Sequence, residues 1–191
     1  MHLKTVSPPV TLETERLILR QWKRADYAPY AALNADRLVM AFFTSVFTRG
    51  ESEVMVAFLQ KQIARRGWGV WAVERRSDGV FVGSVGLHLP LAKLPFSPCV
   101  EVGWRLARAY WGLGYASEAA MASMRFAFEV LELPELVGFT SLLNDRSMAL
   151  MQRLGMTRDP AENFAHPDVP LGSPLREHCL YRMKREAFMV G

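Results

Sequence analysis

Cysteine is nearly absent: among 191 residues only Cys99 and Cys179 carry a thiol. Two isolated thiols give neither a disulfide framework nor a zinc-ligand spacing, which excludes a stapled secreted module and a zinc-binding one. Both are expected as buried apolar fillers rather than nucleophiles, and no metal is expected. Long hydrophobic runs are missing as well. No stretch reaches the roughly 18–20 apolar residues that cross a bilayer, and the opening Leu3-Lys4-Thr5-Val6-Ser7-Pro8-Pro9 has no apolar core of signal-peptide length. The expectation is a cytoplasmic protein with no membrane partner. Basic residues form no run and no aromatic-interleaved region, so nucleic acid is not expected as a partner either. There is no internal repeat and no linker.

What is present suits one folded domain. The chain is 50% hydrophobic and 22% charged, with 13 Gly and 11 Pro, and a chain of this length buries about 70% of the surface it exposes when unfolded. The 23 Lys and Arg against 19 Asp and Glu leave a net charge of +4, which favours anionic partners, a phosphorylated small molecule among them. Thr11 to Trp22 is rich in branched apolar residues and reads as a strand; Asp26 to Met40 reads as a helix. Thr48 and Glu51 have the spacing of a capping box, with apolar residues behind them on one helical face until Gly67. Trp68–Arg75 and Val80–Leu89 read as strands joined by the turn Ser77-Asp78-Gly79. A Pro-rich loop follows over 90–98. Then come a strand over Cys99–Leu106, a helix over Tyr115–Leu131, a strand over Leu136–Leu143 and a helix over Asn144–Leu154 stopped at Gly155. Residues 157–174, with four prolines, read as a loop insertion, and Leu175–Lys184 as the last strand. The whole is an α/β domain over 1–191 with a flexible lead-in over 1–10. Its sheet is expected to be mixed but mostly antiparallel, with about seven strands flanked by helices.

The densest chemical signal is a strand, a loop and a helix. The loop holds Trp111-Gly112-Leu113-Gly114-Tyr115-Ala116, where small residues let the backbone approach a ligand. Free N–H groups at the start of the next helix point the same way, and the helix dipole adds partial positive charge. No Gly-Lys-Ser/Thr follows, so this is not a Walker loop, and without a third glycine it is not a dinucleotide fingerprint. Taken alone, the pattern fits a phosphate site and a plain turn alike.

Three blocks together resemble the GNAT acyltransferase superfamily, and within it the Rim type that acetylates ribosomal-protein N-termini. They are Thr14-Glu15-Arg16-Leu17-Ile18-Leu19-Arg20; Glu101-Val102-Gly103-Trp104-Arg105-Leu106 with Tyr110 through Ala119; and Asn144-Asp145-Arg146-Ser147 closed by Leu154-Gly155-Met156. The resemblance implies a sheet splayed between its two central strands and acetyl-CoA as cosubstrate. It implies that Trp111, Gly112, Leu113, Gly114, Tyr115 and Ala116 hold the pyrophosphate, with Trp111 replacing a basic or amide residue. It further implies that the pantetheine arm runs along Trp104, Arg105 and Leu106, and that Asn144 bonds it at the cleft mouth.

The implied reaction moves an acetyl group from a thioester to a primary amine, a protein or peptide N-terminus. A small-molecule amine such as an amino acid, polyamine or drug is the alternative, as is a non-catalytic acyl-CoA-binding protein; either a monomer or a homodimer fits. Such a site needs a base for the amine, a donor for the carbonyl and a means of releasing the thiolate. Glu101 is the candidate base, against a reading as a strand carboxylate paired with an arginine. The backbone N–H near Trp104 is the candidate carbonyl donor. Where relatives carry a Tyr seven residues after the Asn, this chain has Met151, which gives no proton; Ser147 is the nearest hydroxyl, against a reading as a helix cap. His88, at a strand end, either relays a proton or bonds to backbone. His166 and His178 lie in the tail, where Phe164-Ala165-His166-Pro167 reads equally as an acceptor-side loop and as a packed turn.

Overall fold

The computed structural model describes residues 3–190, so Met1, His2 and Gly191 lie outside it. Its sheet has nine strands, three of them only two residues long. They are β1 (Leu12–Glu13), β2 (Leu17–Arg20), β3 (Val70–Arg75), β4 (Phe81–His88), β5 (Glu101–Leu106), β6 (Glu135–Ser141), β7 (Thr157–Arg158), β8 (Phe164–Ala165) and β9 (Glu177–Lys184). The order is β1-β2-β3-β4-β5-β6-β9-β7, with β8 also on β9. Every pairing is antiparallel except β5 with β6. The helices are α1 (Tyr27–Ala35), α2 (Arg49–Arg66), α3 (Tyr115–Glu129), α4 (Asp145–Arg153) and α5 (Arg185–Val190). No helix among the described residues is long and apolar enough to cross a membrane.

The helices divide between the two faces of the sheet. On one, α3 turns Ala119, Ala120, Ser123 and Ala127 inward; these small residues let it lie close to the strands, and Phe126 meets Trp71 edge to face at 5.8 Å. On the other face, Trp22 packs edge-on against Tyr30 of α1 at 4.9 Å and beside Phe81 of β4. The Thr48–Glu51 capping box forms as its spacing predicts, and α2 ends at Gly67 in the left-handed conformation, φ 82°. A buried ion cluster ties β2 to β3 and to the entry of α1: Arg20 donates to both Asp26 oxygens at 2.7 and 2.9 Å and to Glu74 at 2.7 Å.

Several expectations need correction. The strand predicted over 11–22 is broken, because Thr14 and Leu17 bond to each other across a turn. The helix predicted to reach Met40 stops at Ala35; the Asp36 carboxylate accepts from the Leu38 amide and draws the chain into a turn. The lead-in is tied down over its described part: the Val6 and Val10 amides donate to the Arg66 and Gly67 carbonyls at 2.8 Å, and the Trp68 and Trp71 indoles donate to the Lys4 and Val10 carbonyls at 2.9 Å. The segment 157–174 contains β7, β8 and a short 3-10 turn at Pro160–Glu162 rather than loop alone.

Gly67 is where these ties meet. A Cβ there would lie 1.7 Å from the Val6 carbonyl oxygen, and a left-handed φ costs a non-glycine residue about 1–2 kcal/mol before any clash is counted. We expect Gly67→Ala to lower stability by more than that and to expose Trp68, read as a reduced chemical-denaturation midpoint and a red-shifted tryptophan emission. A midpoint equal to wild type would show that the 4–10 segment is not anchored through Gly67.

Candidate active site

β5 and β6 share a single register pair, Glu101 with Val137, closed by the Val137 amide on the Val100 carbonyl at 3.0 Å. Beyond it the strands part, as the resemblance implies. The parity of β5 settles what faces the gap. In an antiparallel pair, alternate residues exchange both backbone bonds with the partner and the others point away. Ala107 donates to Val82 on the β4 side, so Glu101, Gly103 and Arg105 direct their backbone bonds to β4. Val102, Trp104 and Leu106 therefore present theirs to the gap. The Leu106 carbonyl is taken by the Trp111 indole at 2.9 Å; the single β5–β6 pair engages the Val102 amide, and beyond it the backbone of Trp104 is open.

At the end of the gap lies the Gly112–Gly114 loop. Gly112 and Gly114 both take positive φ, 73° and 81°, and among the described residues the amides of 112–117 donate to no acceptor in the chain. The loop is braced from behind by Arg16, which donates to the Leu113 carbonyl at 3.0 Å and to Glu118 at 2.7 Å. Partial burial works to raise the Glu118 pKa, but bonds from Thr14 and from the Arg16 backbone and side chain outweigh it and hold it below the usual carboxylate range. Two further cations come from α4. The Arg146 guanidinium stacks on Trp111 at 4.4 Å, and Arg153 reaches Ser117 at 3.3 Å; neither has a carboxylate partner among the described residues. Free amides, glycines with no clash at a phosphate's approach and two unpaired arginines fit a cosubstrate with several phosphates. The sequence reading assigned no role to Arg16, Arg146 or Arg153; the +4 charge was the only signal, and it does not locate them.

The remaining residues of this face are mutually engaged. The Asn144 side chain caps α4, accepting from the Ser147 amide at 3.3 Å and donating to Thr140 at 2.9 Å. Asn144, not Ser147, is thus the cap. The Ser147 hydroxyl accepts from the Trp104 indole at 3.1 Å, a bond that links β5 to α4 across the gap. Met151 is buried, its sulfur 2.9 Å from where a Cβ on Gly138 would stand; it is core and offers no proton.

The opposite face of β5 carries a second constellation. Glu101 and His88 are cross-strand partners, with Glu101 Oε2 3.0 Å from His88 Nε2. A carboxylate only accepts, so Nε2 carries the proton and Nδ1 holds the lone pair of neutral His88. That Nδ1 is buried with no partner. It lies 3.8 Å from the Cβ position of Gly103, where there is no side chain. Partial burial pushes the His88 pKa down and Arg66 and Arg105 push the same way, but the charge and hydrogen bond of Glu101 prevail and raise it. Glu101 therefore pairs with a histidine, not with an arginine. Tyr115 and Ala116 open α3 behind the loop, and Arg105 faces α1, donating to Asn34 at 2.8 Å. His166 and His178 stack 4.9 Å apart beside Phe139 and Phe164, on the side of the sheet away from α4.

Known proteins share this sequence pattern and fold. The family model described as "Acetyltransferase (GNAT) domain" matches residues 16–157. The FsC-acetyl coenzyme A-N(2)-transacetylase of Aspergillus fumigatus is 31% identical over 193 aligned positions, covering 97% of this chain and 80% of that protein. Among solved structures, an acetyltransferase from Agrobacterium tumefaciens is 31% identical with a TM-score of 0.73, over 91% of this chain and 94% of its own. A GNAT-family acetyltransferase from Bacillus anthracis reaches a TM-score of 0.76 at 24% identity, over 93% and 99% of the two chains.

If the amides of 112–117 receive pyrophosphate, Gly114→Glu disturbs their array, because a side chain there takes a left-handed φ of 81° and its Cβ stands 3.2 Å from the Arg16 guanidinium that braces the loop. We expect calorimetry to show loss of CoA binding while circular dichroism shows an intact fold. A folded variant with wild-type CoA affinity would overturn the loop's role.

Proposed function

The chain belongs to the GNAT acetyltransferase family, and from that premise we propose that it moves an acetyl group from acetyl-CoA to the free N-terminal amine of a protein or peptide, as a Rim-type enzyme does. The observation that carries this reading is the His88–Glu101 pair facing bare Gly103, on the strand whose other edge opens to the splayed gap. Acetyl-CoA, when bound, supplies a thioester whose carbonyl carbon takes the amine. The chain's own groups do the rest. The amides of 112–117, with Arg146 and Arg153, hold phosphate, and the free backbone of Trp104 orients the arm. The Trp104 amide donates toward the thioester oxygen, and a donor fixed before reaction costs no reorganisation.

The acceptor amine arrives as an ammonium ion and must lose a proton. Neutral His88 takes it at Nδ1 while Nε2–H stays on Glu101, which stabilises the imidazolium that results; the logic is that of a base oriented by a carboxylate. A cleft of about 450 Å³ lined by Leu3, Phe58, Arg66, Leu89 and Leu91 opens just past His88, which gives a peptide a path away from the reacting amine. Coenzyme A's thiol resembles cysteine, with a pKa of roughly 8.5, so its thiolate departs without a strong acid. Met151 then creates no deficit.

Three tests follow from the roles assigned. Glu101→Gln is expected to lower the rate by about 10²–10⁴-fold at neutral pH, with less loss at high pH where free amine is abundant. The sign for His88 is fixed by its causes. In wild type the rate rises with pH as His88 loses its proton above 6.5, its ordinary value. Without the Glu101 charge, burial, Arg66 and Arg105 all act downward, so the His88 titration followed by NMR moves below that value. A uniform loss across pH, with the His88 titration unmoved, would reduce Glu101 to a structural role. Ser147→Ala is expected to cost no more than about tenfold, since its hydroxyl steadies Trp104 rather than protonating the thiolate; a variant that binds CoA yet is inactive on every amine would make Ser147 essential. Short peptides with a free N-terminus are expected to turn over and free amino acids not.

A further inference from the structure

Two arginines withdrawn from solvent, Arg20 buried and Arg105 half-buried, are treated differently. Arg20 is neutralised by Asp26 and Glu74, with three charged contacts of 2.7–2.9 Å. Arg105 has no carboxylate within ion-pair distance among the described residues. Of its five N–H donors only Nη1 is engaged, on the neutral side-chain carbonyl of Asn34 at 2.8 Å, and its Nε is enclosed with no partner. Asn34 is fully buried and donates to Ser52, so its carbonyl is held in place. The guanidinium lies over the Phe43 ring at 4.1 Å and near Phe47 at 5.6 Å. These aromatics exclude water on one side without neutralising the charge. Burial accordingly works to lower the Arg105 pKa. Leaving a partly desolvated charge unpaired is costly, and the Arg20 cluster shows that this fold supplies counter-ions where charge is only structural.

The position of Arg105 gives that charge a use. Glu101, Gly103 and Arg105 lie on one face of β5. At about 3.3 Å per residue, Arg105 lies some 6.6 Å along the strand from bare Gly103, as far on one side as Glu101 is on the other. An amine seated at Gly103 thus has a proton acceptor on one side and an unpaired guanidinium on the other. We propose that Arg105 is a specificity residue that binds a carboxylate carried by the acceptor, so that the preferred substrates are peptide N-termini followed by an acidic residue. The proposal rests on the amine-acetylation reading above and narrows its substrate class.

The test compares Ser-Glu-amide with Ser-Gln-amide, which differ only in one charge. Wild-type protein is expected to favour the glutamate peptide by about 10–100-fold in kcat/KM, the range of a hydrogen bond to a charged group, with most of the difference in KM. Arg105→Gln is expected to collapse the preference to near one, and Arg105→Lys to retain part of it. Calorimetry of both peptides with the CoA-loaded protein is expected to show the same preference, lost in Arg105→Gln. This binding measurement needs no turnover. Charge-dependent binding without acetylation would sink the amine-acetylation reading and leave Arg105 as an anion site. Acetylation of both peptides at equal rates would sink the Arg105 assignment alone. So would a loss in Arg105→Gln that falls equally on both peptides, because a staple that merely holds Phe43 and Phe47 does not distinguish them.

Discussion

The site depends on one constraint: β5 has a complete hydrogen-bond ladder on one edge and a nearly empty one on the other. Its pairing with β4 runs over six residues, whereas its pairing with β6 stops at Glu101 and Val137. A backbone left unpaired inside a sheet is normally a liability. Here it is tolerated because the unpaired groups line a gap open to a ligand, and because the gap is bridged by side chains. Trp104 reaches Ser147 across it, and Trp111 folds back onto the Leu106 carbonyl. Parity then does the rest. Even-numbered residues offer backbone to the gap and side chains to the α3–α4 face, while odd-numbered residues send side chains toward α1 and α2. A one-residue slip of β5 would exchange the two sets and destroy both halves of the site.

Charge is distributed along the same division. On the α3–α4 side, Glu118 takes up Arg16, so the brace of the glycine loop is internally neutral, while Arg146 and Arg153 have no acidic partner among the described residues. On the α1–α2 side, Arg20 is neutralised and Arg105 is not. Exposed ion pairs elsewhere, such as Arg49 with Glu53 on α2, contribute little to stability. The net charge of +4 is therefore less informative than the location of the cations that have no partner. They sit beside the glycine loop and on the α1–α2 face of β5.

Much of this was legible in the sequence, and the parts that were not have physical causes. β3, β4 and the Asp78-Gly79 turn were readable because a local rule, apolar strands around a residue of positive φ, agrees with the tertiary structure. α2 was readable from its capping box. The break in the first strand was not, since Thr14 and Arg16 are drawn aside by Glu118, about a hundred positions away. Nor was the early end of α1, which depends on the Asp36 side chain competing for a backbone amide. Within the site, the glycine loop announced itself by composition. The His88–Glu101 pair did not, because it is a cross-strand contact whose register is set by the 90–98 connection. Arg105 was named only for its backbone; that its side chain lacks a counter-ion is a fact about what surrounds it, which no spacing encodes.

The two faces must still exchange an acyl group, and a single strand separates them. Side chains on a sheet stand roughly perpendicular to it, so an amine on the α1–α2 face is screened from the gap wherever β5 carries one. Gly103 is the one residue of β5 that carries none, and it lies between the carboxylate-oriented histidine and the unpaired arginine. Around its Cβ position the nearest atoms are His88 Cε1 at 3.7 Å, His88 Nδ1 at 3.8 Å and Glu101 Oε1 at 3.9 Å, ordinary contact distances that leave room for an amine nitrogen. A methyl group there would clash with nothing in the chain and would fill the space beside the histidine and the carboxylate. The chain's own packing therefore does not demand glycine at this position; what the bare position leaves is contact space beside His88 and Glu101.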